Sequence, residues 1–241
     1  MKSIFLVCLL FISTLLMAQN RMTPELLWEL KRVGGIEVAP DYKKVLFTQR
    51  AYDLHKNSSS NALFVYDLTT KKIIQVKWVD PGFSNAKWRP DGQKISFIQV
   101  ERGEKNIFEI NIDGTEHRKI SNIGSRIEEF KYAPDGKRMM FTQEVKLDKF
   151  HSTELARDLG ASNAKVYDDL MYRHWSSYED GLYSHILFSV LDNGFLAGAG
   201  IDIMPYEKFD THTTPFSGLD QASFSPDCQH SDYSSKQLSG K

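Results

Sequence analysis

Four stretches of the chain share one pattern of apolar and polar positions. They are IEVAPDYKKVLFTQ (36–49), AKWRPDGQKISFIQ (86–99), FKYAPDGKRMMFTQ (130–143) and ASFSPDCQHSDYSS (222–235). Each enters on a short alternating segment such as Ala86-Lys87-Trp88, which reads as a strand. A turn follows. Proline fixes φ at its second position, aspartate bonds the backbone just ahead, and glycine accepts the left-handed conformation that closes it. A β-branched and aromatic strand then leaves, as in Ile95-Ser96-Phe97-Ile98. Each phrase therefore predicts a β-hairpin. The prolines are Pro40, Pro90, Pro134 and Pro226, so the spacings are 50, 44 and 92, the last being twice 46. A unit of that size, repeated, is the mark of a repeat architecture.

Further strand pairs lie between the phrases. ALFVYDLTTKKIIQV (62–76) reads as strand, polar turn, strand, and NIFEINIDGTEHRKI (106–120) does the same around Asp113-Gly114. Four short antiparallel strands per repeat is the size of one β-propeller blade. A sandwich of unrelated hairpins would not repeat one turn phrase at fixed spacing. The fold expected is all-β: a partial β-propeller of about four blades, each of four antiparallel strands. Two stretches break the pattern. MTPELLWELKRV (22–33) predicts a helix, with Thr23 as N-cap, Pro24 at the first helical position and Glu25 in the first turn. Leu26, Leu27, Leu30 and Val33 would share its face. The second break is an insertion at about 145–182. Short helices are expected near 152–159 and 168–172, and the strand SHILFSVL (184–191) follows. This insertion accounts for the doubled spacing.

The fourth phrase ends differently. Cys228 stands where the second and third copies have Gly92 and Gly136, and the first copy has Tyr42. A Cβ in a left-handed position costs roughly 1 kcal/mol. QHSDYSS offers one aromatic and no aliphatic residue, so it cannot fill the inner layer of a blade. A blade interrupted in mid-hairpin is the expectation.

Charge narrows the partners. Thirty Lys+Arg stand against 31 Asp+Glu, so no basic excess drives phosphate binding and nucleic acid is not an expected partner. The start, MKSIFLVCLLFISTLLMAQ, has one lysine, an apolar run too short to span a bilayer comfortably, and a small residue at Ala18. That is the layout of a secretory signal peptide over 1–18. The expected mature domain is 19–241, exported to the periplasm or outside the cell, with no membrane span. It keeps one cysteine, Cys228, and so no internal disulfide. No Cys/His cluster has zinc spacing, and no metal or cofactor is expected.

With these residues in view, the chain resembles a known family. The start MTPELLWELKRVGGIEVAPD, the PDG-type hairpins and DDLMYRHWSSYEDGLYSHIL (168–187) resemble the N-terminal propeller of exported serine peptidases of the prolyl oligopeptidase family. The likeness is to the bacterial dipeptidyl-peptidase and acylaminoacyl-peptidase branch, and it covers about 22–227. The PDG phrase alone is shared with TolB-like and WD40-like propellers. The resemblance implies a propeller that covers an α/β-hydrolase domain holding the catalytic Ser, Asp and His, and that admits short peptides but not folded proteins. A nucleophile elbow of that kind needs G-x-S-x-G. The sequence contains none, and no strand–helix alternation that could build a parallel sheet. The expectation is the front of such a peptidase, truncated before the catalytic domain and inactive alone. The alternative is a free-standing TolB-like periplasmic propeller that binds protein or glycan partners.

Candidate site residues follow from composition and resemblance. Arg173, His174 and Trp175, with Glu179, Asp180 and His185, form the densest polar and aromatic cluster. The first five are the candidate substrate contacts, at the peptide entrance. The competing role for Arg173 is to pair with a carboxylate or stack on an aromatic ring and lock the insertion to its blade. Glu128-Glu129 is a second candidate, since some dipeptidyl peptidases grip a substrate amine with paired glutamates. Neighbours on a strand point to opposite faces, which argues against it. Trp28, Trp78 and Trp88 are read as core or blade-packing residues. No catalytic, metal or cofactor residue is assigned.

Overall fold

A computed structural model describes residues 22–123, 127–156, 158, 160, 162–168, 172–174 (of His174, its backbone), 176–211 and 219–234. The predicted signal peptide, Trp175 and most of the predicted helix at 168–172 lie outside the described residues.

The four Pro-Asp turns are alike to a tenth of an ångström. The residue two after each proline lies in the left-handed region: Tyr42 (φ 59°), Gly92 (68°), Gly136 (65°) and Cys228 (57°). Its N–H donates to the carbonyl of Ala39, Arg89, Ala133 or Ser225 at 2.8–2.9 Å. The aspartate Oδ1 accepts the N–H two residues on, from Lys43 (2.9 Å), Gln93 (3.0 Å), Lys137 (2.9 Å) and Gln229 (3.0 Å). These bonds favour the ionised carboxyl. In Asp41 and Asp135 the backbone bond is the largest cause that holds the carboxyl below its ordinary range. The turn chemistry read from the sequence is thus present in all four copies, the fourth included.

Each turn joins the first two strands of a blade. The first blade is β1 (Arg32–Val38), β2 (Lys44–Asp53), β3 (Ser58–Asp67) and β4 (Lys72–Val76), paired in that order. The second is β5 (Ser84–Trp88), β6 (Lys94–Glu101), β7 (Glu104–Asn111) and β8 (Arg118–Lys119), again in order. In the third, β9 (Ile127–Tyr132) pairs β10 (Arg138–Lys146). The insertion follows, with β11 (Arg173–His174) paired to β12 (Ser177–Tyr178). The blade resumes with β13 (Leu182–Asp192), bordered by β14 (Phe195–Leu196) and β15 (Ile201–Asp202). A last hairpin pairs β16 (Ala222–Phe224) with β17 (Ser231–Tyr233). All these pairs are antiparallel. The described chain thus holds three full blades and one hairpin, where about four blades were expected. The hairpin does form, but every residue of β17 is exposed, as its polar sequence requires.

Side-chain alternation explains how blades stack. Ile95 and Phe97 of β6, with Phe108 and Ile110 of β7, pack against Leu46, Leu63, Val65 and Val76 of the first blade. Ile98 and Ile107 turn the other way and meet Phe130, Met139 and Phe141 of the third. Met140 and Ile186 turn again, toward Leu219 and Ala222 beside the last hairpin. The second and third blades therefore bury both faces, and each side chain fully removed from water there contributes about 1.5–3 kcal/mol. Val45 and Phe47 occupy the repeat positions of Ile95 and Phe97, yet are only half-buried on the outer face of the first blade.

Two expectations need correction. The N-terminal helix, α1 (Pro24–Glu29), is half as long as predicted. Thr23 caps it, accepting Leu26 N–H at 3.1 Å. Leu30 then turns extended (φ −65°, ψ 122°), because Arg32 and Val33 pair with Arg50 and Gln49 in the sheet. Val33 lies on a strand, not on the helix face, and α1 buries no residue. Of the predicted helix at 152–159, Ser152–Leu155 forms one turn, α2, and Ala156 then turns extended (φ −142°, ψ 128°), while 157 and 159 lie outside the described residues. Among the tryptophans, Trp88 is core, but Trp78 is 77% exposed and lies at φ 68°.

Candidate functional site

The insertion leaves β10 and returns to β13, and its base is tied tightly. Leu147 N–H donates to Gly181 O at 2.9 Å. The Asp148 carboxylate accepts from Tyr183 Oη (2.9 Å) and Lys208 Nζ (2.6 Å). Burial opposes its ionisation, but the Lys208 ammonium and Tyr183 hydroxyl outweigh that and hold the carboxyl below its ordinary range. Burial, followed by the Asp148 hydrogen bond, pushes the Tyr183 phenol up. Gly181 sits at φ 80°, and a Cβ there would strike the Asp148 carbonyl.

Above this base runs an aromatic ladder. Phe150 meets Tyr167 (ring centroids 4.9 Å), Tyr167 meets Tyr172 (5.6 Å), and Tyr172 stacks on Tyr178 (6.2 Å). Arg173 lies over the Tyr178 ring at 5.9 Å, and Lys165 over the same ring at 6.0 Å. Arg173 thus stacks on an aromatic ring as expected, but that ring belongs to the insertion itself, so the contact does not tie the insertion to its blade. Glu179 is anchored by its backbone, since its carbonyl accepts from Tyr167 Oη (2.7 Å) and Lys165 Nζ (3.3 Å). Asp180 caps the return turn, Oδ1 accepting Leu182 N–H at 3.1 Å. The His174 side chain and Trp175 lie outside the described residues. His185 is separate from this group. It is fully buried in the third blade, with Nδ1 2.8 Å from Asp202 Oδ2 and Nε2 2.8 Å from the Glu207 carbonyl.

Glu128 and Glu129 diverge, as strand geometry requires. Glu128 pairs with Lys105. Glu129 Oε2 accepts Leu219 N–H at 2.6 Å and so ties β9 to the short turn (Leu219–Gln221) that leads into the last hairpin. They do not form one amine grip.

A polar cluster also joins the second and third blades. Glu109, 1% exposed, accepts from Arg118 (3.0 Å) and Tyr132 Oη (3.0 Å), and Arg89 stands 3.5 Å away. Tyr132 Oη also meets Ser96 Oγ at 2.8 Å. A buried carboxylate so fully partnered is a blade lock. Burial, and then the Glu109 charge, push the Tyr132 phenol well up. No group of three or more metal-ligating side chains occurs among the described residues.

The sequence reading missed a cleft of about 560 Å³ between the innermost strands of the first two blades. Both strands bulge there. The register slips between Gly34 and Glu37 on β1, and between Ser84 and Lys87 on β5. Gly35 (φ 56°) and Asn85 (φ 50°) mark the bulges, each five residues before its phrase proline. That shared position, Gly or Asn ahead of Pro-Asp, was the available signal. Arg32, Arg50 and Lys87 line the cleft. Arg32 stacks on Tyr52 (4.5 Å) and Trp28 (5.3 Å), and Arg50 donates to Asn61 Oδ1 at 3.0 Å. Glu37 also lines it. Burial raises its carboxyl pKa, against the Lys87 charge and a hydrogen bond from Trp88 N–H.

Three antiparallel blades stacked about innermost strands define the class by fold. No family model matches the sequence. Among solved structures, the chain superposes on Pyrococcus horikoshii acylaminoacyl peptidase with a TM-score of 0.52 and 13% identity, over 70% of this chain and 25% of that one. The AtxE2 isopeptidase gives 0.53 and 17%, over 75% and 32%. These likenesses concern the fold. By fold, the chain is a β-propeller region of the kind found in these peptidases. In particular, it is similar to Dipeptidyl-peptidase 5 of Porphyromonas gingivalis, with 30% identity over 221 residues, 92% of this chain. Dipeptidyl-peptidase 5 of Porphyromonas endodontalis is 26% identical over 231 residues. The chain spans about a third, 32%, of either relative.

Proposed function

We propose that this propeller region governs the access of short peptides to a serine-peptidase catalytic domain of the prolyl oligopeptidase kind. The carrying observation is the similarity to Dipeptidyl-peptidase 5 across 92% of the chain. The architecture supports the reading. Blades stacked face to face make a rigid wall, and the insertion sets exposed Tyr172 and Tyr178, with Arg173 above Tyr178, at the end of the third blade. Exposed aromatic faces beside a cation suit passing peptides without a sequence code. Arg173 and its neighbours act at this rim, and catalysis belongs to the hydrolase part of such enzymes. No described helix is long and apolar enough to cross a membrane. We also propose that residues 1–18 direct export, which N-terminal sequencing of the secreted product checks.

Fluorescence anisotropy with labelled peptides of three to ten residues tests the access role. Binding of these peptides, uncompeted by folded proteins, is the expected result. Preferential binding of a folded protein or glycan would favour a TolB-like partner-binding role instead.

A further inference from the structure

We propose that the cleft between the first two blades is a carboxylate-binding site, and that it holds the C-terminal carboxylate of a peptide. This rests on the access role above, because peptides are the carboxylate source that role supplies.

The charge balance is the first observation. Arg32, Arg50 and Lys87 converge on the cleft from three strands, β1, β2 and β5. None of them has a carboxylate within ion-pair distance among the described residues, whereas twelve other pairs are made elsewhere. Glu37 is the acidic residue of the lining, so three cations face one carboxyl. Cations held close together in a concave wall repel one another, and an anion between them removes that cost.

The second observation is preorganisation. Arg32 lies against both the Tyr52 and Trp28 rings, which themselves meet edge to face at 5.4 Å. Arg50 is fixed by Asn61, whose Nδ2 in turn donates to Phe83 O at 3.2 Å. Guanidinium groups so held match the planar fork of a carboxylate and lose little rotamer freedom on binding.

The third is an unmet donor. Asn85 Nδ2 lies buried at the cleft wall with no hydrogen-bond partner among the described residues. A buried donor left unmade is costly, so a small rotation of the Asn85 side chain that brings Nδ2 to a ligand oxygen gains more than an ordinary hydrogen bond. The volume lies in the range of small-ligand sites. The lining comes from the end of β2 and the starts of β1 and β5. By the repeat, that is the end of the blades from which the insertion leaves β10.

Titration calorimetry on the full chain tests the site with three probes: acetyl-Ala-Ala-Ala with a free carboxylate, the same peptide as its C-terminal amide, and acetyl-Ala-Glu-Ala-amide. The free acid is expected to bind about tenfold tighter than the amide, the worth of one charge-assisted hydrogen-bonded contact. The Glu peptide should fall with the amide if the terminal group is read, and with the acid if a side-chain carboxylate is read; the second result overturns the C-terminal assignment. Arg50→Gln and Lys87→Gln, both at solvent-accessible positions, are each expected to cost about five- to tenfold for the acid and nothing for the amide. Unchanged near-ultraviolet circular dichroism shows that the variants fold. Equal binding of acid and amide, or full affinity in both variants, overturns the site while leaving the access role standing. No binding of any peptide overturns both.

Discussion

At the scale of single residues, the repeat exposes where this chain tolerates strain. Tyr42 holds a left-handed φ of 59° while 80% exposed, at the position where Gly92 and Gly136 close the equivalent turns. Tyr42→Gly is expected to raise stability by up to ~1 kcal/mol, because the Cβ penalty exceeds the entropy that glycine adds to the unfolded chain. Urea unfolding of the two proteins measures it. Tyr132 carries the opposite sign. Its hydroxyl bridges Ser96 and the buried Glu109, so Tyr132→Phe leaves a buried acceptor short of a donor and is expected to cost ~1–3 kcal/mol in the same measurement.

Elements differ in how far their residues dictate them. The hairpins were legible because proline, aspartate and glycine act within four residues, and that chemistry depends little on what lies further off. The helix predicted over 22–33 is cut short at Glu29 for the converse reason. Leu30 and Val33 continue its apolar spacing, but ladder bonds from Arg32 and Val33 to β2 outweigh another turn of an exposed helix. The candidate site was legible only in part. The stacking of Arg173 followed from its aromatic neighbours, whereas the cation cleft is assembled from Arg32, Arg50 and Lys87, which are far apart in sequence. Periodicity carries no signal for such a meeting. The insertion makes its own prediction. The ionised Asp148 holds its base, and its lowered folded pKa means that this support is present above the ordinary carboxylate range and lost as pH falls through the folded value. Cleavage within 149–180 by an acid-active protease should therefore rise steeply below about pH 4, and Asp148→Asn should flatten that dependence. Gly181→Ala is expected to open the same segment at every pH, because the clash with the Asp148 carbonyl does not titrate.

At the scale of the whole molecule, the chain is a stack of neighbours. Phe97 serves the core between the first and second blades, while the next residue, Ile98, serves the core between the second and third. Phe97→Ala is expected to cost ~3–5 kcal/mol. Differential scanning calorimetry should show one transition shifted downward, since no blade is buried independently of the next. The stack also has a direction. Every blade presents one kind of face to the unit before it and another to the unit after it, and the Pro-Asp turn recurs in step with that order. Copying or deleting one whole unit, about 46 residues from proline to proline, would leave every junction of the same two kinds. Removing half a unit would set like face against like. Lineages of such genes should therefore gain and lose length in steps of one blade, and accept odd-sized additions where this chain carries its own, in the loop between the second and third strands.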